Sequence, residues 1–176
     1  MTAAPFVPGP IHRLLAADHA RLDTLLERAT ATSGRIEPGA WAGFRKGLLR
    51  HIGMEEKILL PAAARARDGE VLPAAARLRV EHGAIAALLV PTPTPAIVAA
   101  LQAILARHDR SEEGPDGVYA DCERVLGDDA PAVLAALHAA PEVPVAAHVD
   151  GPRIMAATRR ALARAGYDLA EWERDV

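Results

Sequence analysis

Twice along this chain an acid–histidine pair is followed, a few dozen residues later, by the pattern His-x-x-x-Glu-Glu. The first half holds Asp18-His19 and then His51-Ile52-Gly53-Met54-Glu55-Glu56. The second holds Glu81-His82 and then His108-Asp109-Arg110-Ser111-Glu112-Glu113. The chain has 12 glutamates among 176 residues, so its seven histidines would carry His-x-x-x-Glu-Glu by composition alone about 0.03 times. Residues four apart share one face of an α-helix, so His51 with Glu55, and His108 with Glu112, can each aim at one point. The pattern therefore constrains the chain to helices whose inner faces meet.

Apolar spacing and Pro/Gly punctuation place those helices. The first is expected over residues 10–32, where Ile11, Leu14, Leu15, Leu22, Leu25 and Leu26 recur at threes and fours and Pro10 suits the first turn. Ser33-Gly34 ends it. The second is expected over 38–67, with a kink at Pro61, before Asp68-Gly69 closes it. The third covers 70–89, and a stiff Pro-Thr-Pro-Thr-Pro connector leads to the fourth, 95–113. Gly114-Pro115-Asp116-Gly117 should bend or break that helix, and the helical pattern resumes over 118–126. A short apolar helix over 131–139, a Pro-rich crossing and a basic helix over 153–165 that stops at Gly166 complete the chain.

The expected architecture is all-α: an antiparallel up-and-down four-helix bundle over residues 10–126. Residues 127–176 form an additional C-terminal helical extension, packed across its outside or one end. Composition agrees, because 51% of the chain is apolar but only 3% aromatic, leaving a core of Ala, Leu, Val and Ile that favours close helix contacts.

Several function classes fall away. A net charge of −3 with no basic run gives nucleic acid nothing to bind. Cys122 is the single cysteine, which excludes an intrachain disulfide framework, a cysteine-rich zinc site and an ordinary iron–sulfur cluster. Residues 83–106 are apolar enough to suggest a membrane span, but Pro91, Pro93 and Pro95 cut them into pieces too short to cross a bilayer. The first ten residues hold three prolines and no apolar run behind a basic head, so no secretory signal is expected and the default is a soluble cytoplasmic protein.

The register of the motifs points to one buried site. His19 lies about nine residues into the first helix, and His51, His82 and His108 about twelve or thirteen into theirs, so an antiparallel bundle gathers all four near mid-depth. A carboxylate one turn from a histidine can bridge two metal ions while the imidazole caps one of them. Asp18, Glu81, Glu56 and Glu113 sit one residue from these positions, about 100° around the helix, which suits support of the ligands or a solvated surface. His12, seven residues before His19, and His148, in the Pro-rich crossing, are further candidates for the site, as is Tyr119. Cys122 reads as a small core residue.

The order His … His-x-x-x-Glu … His … His-x-x-x-Glu resembles the hemerythrin-like HHE cation-binding domain family. The segment HIGMEEKILLP, residues 51–61, looks like that family's second-helix signature. The resemblance covers residues 10–126 and implies a non-haem di-iron centre: two iron ions joined by an oxo or hydroxo bridge, with manganese or zinc as substitutes. It further implies that Glu55 and Glu112 bridge, that His19 and His51 hold one iron, and that His82 and His108 hold the other. Oxygen-carrying members have a second histidine one turn after the third-helix ligand, where this chain has Ala86. They end on an aspartate five residues after the last histidine, where it has Glu113. The break at Gly114-Pro115 leaves the choice between Glu112 and Glu113 open.

Fewer histidines leave more open metal positions, which favours reaction or sensing over reversible oxygen carriage. The implied function is to bind, sense or react with oxygen, peroxide or nitric oxide, in the cytoplasm and under stress. One alternative is repair of iron–sulfur clusters, although relatives associated with it carry an additional cysteine-bearing N-terminal domain for which this sequence leaves no room. Another is a metal-free helical interaction module that docks a partner through Arg153, Arg159, Arg160 and Arg164.

Overall fold

The computed structural model describes residues 6–174. All regular structure among them is helical, apart from one isolated backbone bridge between Thr32 and Arg35. Helix α1 (Pro10–Thr30) opens on a proline at its first turn and leads to α2 (Pro38–Met54), whose free amides at Gly39 and Ala40 are capped by the Glu37 carboxylate. Helix α4 (Ala75–Leu88) precedes α5 (Pro95–Glu113), where the Thr94 hydroxyl accepts from the amide of Ile97 at 3.2 Å. Helix α6 (Val118–Leu126) follows.

The helix expected over 38–67 does not simply kink at Pro61. Its turn widens to a π-helix over Glu55–Leu59, where the Leu60 amide donates to the Glu55 carbonyl five residues back, and α3 (Leu60–Arg65) continues beyond. Proline lacks an N–H and crowds the preceding turn, and a wider turn accommodates both problems without ending the helix. The widened turn begins at Glu55, one of the six candidate ligands. The third helix starts five residues later than expected. Pro73 keeps Leu72 out of helical geometry; residues 70–72 are irregular and 73–74 form a turn instead.

Helices α7 (Ala130–His138), α8 (Pro152–Arg164) and α9 (Leu169–Glu173) make up the C-terminal part. Gly166, at φ +84°, takes the left-handed conformation that ends α8, with the Tyr167 amide returning to the Leu162 carbonyl at 2.9 Å. Helix α9 was not legible in the apolar pattern. It starts where the Asp168 carboxylate accepts from the Ala170 amide at 3.0 Å. Helix α8 lies against α4, α9 against α5, and α7 against the π turn and α1. No described helix is long and apolar enough to cross a membrane.

The core splits into two apolar layers. One gathers Leu22 and Leu26 of α1, Phe44 and Leu48 of α2, Ile85 and Leu88 of α4, and Ile97 and Leu101 of α5. The other gathers Ile11 and Leu15 of α1, Met54 and Leu59, Leu78 of α4, and Tyr119 and Cys122 of α6. On α1, α2 and α4 a buried histidine marks the change from one layer to the other, His19, His51 and His82; α5 packs in the first layer up to the buried His108, and α6 beyond it joins the second. The polar residues form a sheet of charge between two dry blocks, which raises the strength of every electrostatic interaction there.

Candidate metal centre

Helix α1 supplies His19, α2 supplies His51, the π turn Glu55, α4 His82, and α5 both His108 and Glu112. None of the six is more than 6% exposed. Their side chains fall into two groups of four, each with donor atoms all within 4.8 Å of one another: His19, His51, Glu55 and Glu112, and Glu55, His82, His108 and Glu112. Both glutamates are common to both groups. Glu55 turns Oε1 towards His51 Nε2 (3.4 Å) and Oε2 towards His82 Nε2 (3.1 Å). Glu112 turns Oε2 towards His19 Nε2 (3.5 Å) and Oε1 towards His108 Nε2 (3.2 Å). Glu112 belongs to both groups, whereas Glu113 points away from them to His19 Nδ1.

Each imidazole is aimed by a carboxylate from the next helix around. The Nδ1–H of His51 donates to Asp18 at 3.0 Å, that of His82 to Glu56 at 2.8 Å, that of His108 to Glu81 at 2.9 Å, and that of His19 to Glu113 at 2.6 Å. The four pairs close a ring, α1 to α2 to α4 to α5 and back to α1. Neighbouring residues on a helix diverge by about 100°, so the acid beside each inward ligand faces the adjacent helix instead. With Nδ1 engaged by the acid, every Nε2 is turned to the centre. Arg21, Arg79 and Arg77 brace three of the acids from outside, Asp18 at 2.8 Å, Glu56 at 3.0 Å and Glu81 at 2.8 Å.

These contacts set the local charge. Burial works against ionisation of Asp18, yet hydrogen bonds from His51 and Arg21 bring its carboxyl down to about 2. The hydrogen bond from His108 does most to hold Glu81 at about 2, against its burial and with help from Arg77. Burial would deprotonate His51 and His108, but the surrounding carboxylates, chiefly Glu55 for His51 and Glu112 for His108, outweigh it and raise both to about 10. The centre has a strong appetite for positive charge.

Tyr119 enters from α6. Its hydroxyl donates to Glu55 Oε1 at 2.6 Å, with Glu112 Oε2 at 3.1 Å, and lies 3.2 Å from His19 Nε2 and 3.3 Å from His51 Nε2. The turn after α5 makes this reach feasible. A Cβ on Gly117 would come within 2.4 Å of the Glu112 carbonyl oxygen, so the chain can fold back this tightly only with glycine there.

Residues 11–128 match the family model described as the hemerythrin HHE cation binding domain. This chain belongs to that family. No curated protein and no solved structure matches it.

The donor set of this chain fits cations. Glu55 Oε2 and Glu112 Oε1 are buried with no hydrogen-bond partner among the described residues, each facing only imidazole nitrogens. Such oxygens are costly unless a charge meets them. Four imidazole nitrogens, which are borderline donors, and two hard carboxylates make a mixed set of the kind first-row transition metals take.

Other sequence candidates fall outside the two groups. His12 is buried and meets the Tyr119 ring edge-on, with centroids 5.7 Å apart, but offers no donor to either group. His148 does not close the mouth of the site. It lines a groove with Trp41, Arg45 and Pro95, accepts from Trp41 Nε1 at 3.2 Å, and uses Nδ1 on the Val90 carbonyl. The Pro-rich crossing is anchored there because the Thr92 amide and hydroxyl both bind Asp150.

Proposed function

We propose that this hemerythrin-like chain holds two metal ions, iron in the cell, and uses them to bind, sense or react with oxygen, peroxide or nitric oxide. His19 and His51 would hold one ion, His82 and His108 the other, and Glu55 and Glu112 would bridge. The observation that carries the reading is that the two donor groups share both glutamates, each with one oxygen turned to either side. The passage of α1, α2 and α4 from one apolar layer to the other in alternating sense, followed by α5 in the first layer and α6 in the second, supports an antiparallel up-and-down bundle around the site.

Bound iron supplies redox change and open coordination positions for small oxygen- or nitrogen-containing ligands. The chain's own residues do the rest. Asp18, Glu56, Glu81 and Glu113 keep each Nδ1 protonated and each ring oriented, so little reorganisation accompanies binding. The two apolar layers keep bulk water from the centre, and Ala86 supplies a methyl where oxygen carriers have another imidazole.

The test is metal content and optical spectrum of protein made in iron-replete medium. Wild type should show a near-ultraviolet to visible di-iron band that moves on adding azide or peroxide. His51→Ala and Glu55→Ala should each lose metal and stability, because site and fold are coupled. Unchanged metal content in both variants would mean that the ligand set is wrong, and full thermal stability after chelation of the wild type would favour a metal-free helical module instead.

A further inference from the structure

The two donor groups differ in one respect that the histidine and glutamate pattern does not reveal. Bonds of about 2.1 Å to a metal ion, meeting at right angles, put neighbouring donors about 3 Å apart. The Tyr119 hydroxyl stands at 2.6, 3.1, 3.2 and 3.3 Å from Glu55 Oε1, Glu112 Oε2, His19 Nε2 and His51 Nε2, so it meets that spacing to all four donors of the first group. Among the described residues no hydroxyl is hydrogen-bonded to the nitrogens of His82 or His108, which lie 3.1 Å from each other. Asp109 is the other unpartnered carboxylate nearby. Its Oδ1 is 3.8 Å from His19 Nε2, beyond the spacing of adjacent ligands.

We propose that Tyr119 is a fifth ligand, through its oxygen, to the metal ion held by His19 and His51, and that the His82–His108 side keeps the open position for small molecules. The inference rests on the reading above that the two groups hold metal ions. On ligation the phenol O–H bond breaks, the oxygen keeps the electron pair and forms the bond to the metal, and the proton leaves to solvent. No oxidation or reduction is involved. The position is built by the segment that directly follows the last helix motif. Gly117 permits the tight turn, and Tyr119 is wholly buried with its ring against His12 and His19. The consequence is an unequal pair of ions, with exogenous ligands directed to one of them.

Resonance Raman spectroscopy of the full ferric protein, with iron measured on the same samples, decides the matter. The expected result is about two irons per chain and tyrosine ring modes enhanced by excitation in a visible phenolate-to-iron band. Tyr119→Phe should lose both band and modes while keeping its iron. Wild type with two irons but no tyrosine-enhanced modes overturns the ligand assignment and leaves the metal centre standing, as does a Phe variant that retains the modes. Wild type without iron overturns the metal reading itself, and the ligand with it.

Discussion

Replacing Glu81 with glutamine removes one charge from the ring that aims the imidazoles without removing any proposed ligand. The Glu81 carboxylate accepts from His108 Nδ1 at 2.9 Å and from Arg77 Nε at 2.8 Å, and only 6% of its side chain is exposed. A glutamine is the same size, but its uncharged oxygen makes a weaker partner for Nδ1–H, and its amide group cannot also satisfy Arg77. Loss of a comparable partner behind a metal-bound histidine costs roughly 10- to 100-fold in affinity, which converts to about 1.4–2.7 kcal/mol. Competition between the protein and a chelator of known affinity for ferrous iron measures this directly, and Glu70→Gln serves as control, since Glu70 is 78% exposed and pairs with Arg67, away from the ring of acids. A loss is expected in the first variant and none in the second. Affinity of Glu81→Gln within twofold of wild type would refute the view that the acid ring prepares the site.

Four other outcomes follow from the same geometry. Metal should leave as pH falls through the histidine range or below, because ligating imidazoles must be neutral, whereas Asp18 and Glu81, both held at about 2, stay ionised until far lower pH. Since a depressed carboxyl pKa gives support above its unfolded value that vanishes only on approach to the folded one, these two acids cannot account for release near pH 6, and metal content unchanged from pH 7 to 4 would contradict the donor set. Gly117→Ala should cost about 1–3 kcal/mol in denaturant unfolding, as the new methyl collides with the Glu112 carbonyl; an unaltered midpoint would mean the turn is looser than it stands. Cys122, fully buried and with its thiol pushed up to about 12 by burial and by Glu55, should resist thiol reagents in native protein at pH 8 and react once unfolded. Chelation should lower the thermal midpoint, in proportion to metal withdrawn, while leaving the helical circular dichroism largely intact below it.

The sequence carried the helices and the inward residues because both depend on local spacing. A four-residue interval puts His51 over Glu55 whatever the surrounding fold, and the same holds for His108 and Glu112. The acids one residue away were legible only as facing somewhere else; which histidine each one serves depends on which helix lies beside it, and the ring from Asp18 to Glu113 is a property of the assembled helices. Tyr119 could be named from the sequence as a candidate but not placed, for a similar reason. Its entry to the centre depends on the path of the chain through Gly114–Gly117, where a change of one residue would swing the phenol by about 100°. The π turn at Glu55–Leu59 arises from Pro61 acting backwards on the helix, and periodicity carries no sign of whether a proline kinks a helix or widens it. The late start of α4 was legible in principle, since Pro73 stands within the stretch read as helix. His148 sits with Trp41 at the far groove because Asp150 ties the crossing to Thr92, a contact between residues 58 apart in sequence.

Diffraction from crystals of the iron-loaded protein, recorded at the iron absorption edge, tests the central claim most directly. Two anomalous peaks should appear, about 3.5–4 Å apart as in other paired metal sites. One should lie against Nε2 of His19 and His51, the other against Nε2 of His82 and His108, and both should touch Glu55 and Glu112. A single peak, a pair that does not share the two glutamates, or no anomalous signal between the helices would contradict it.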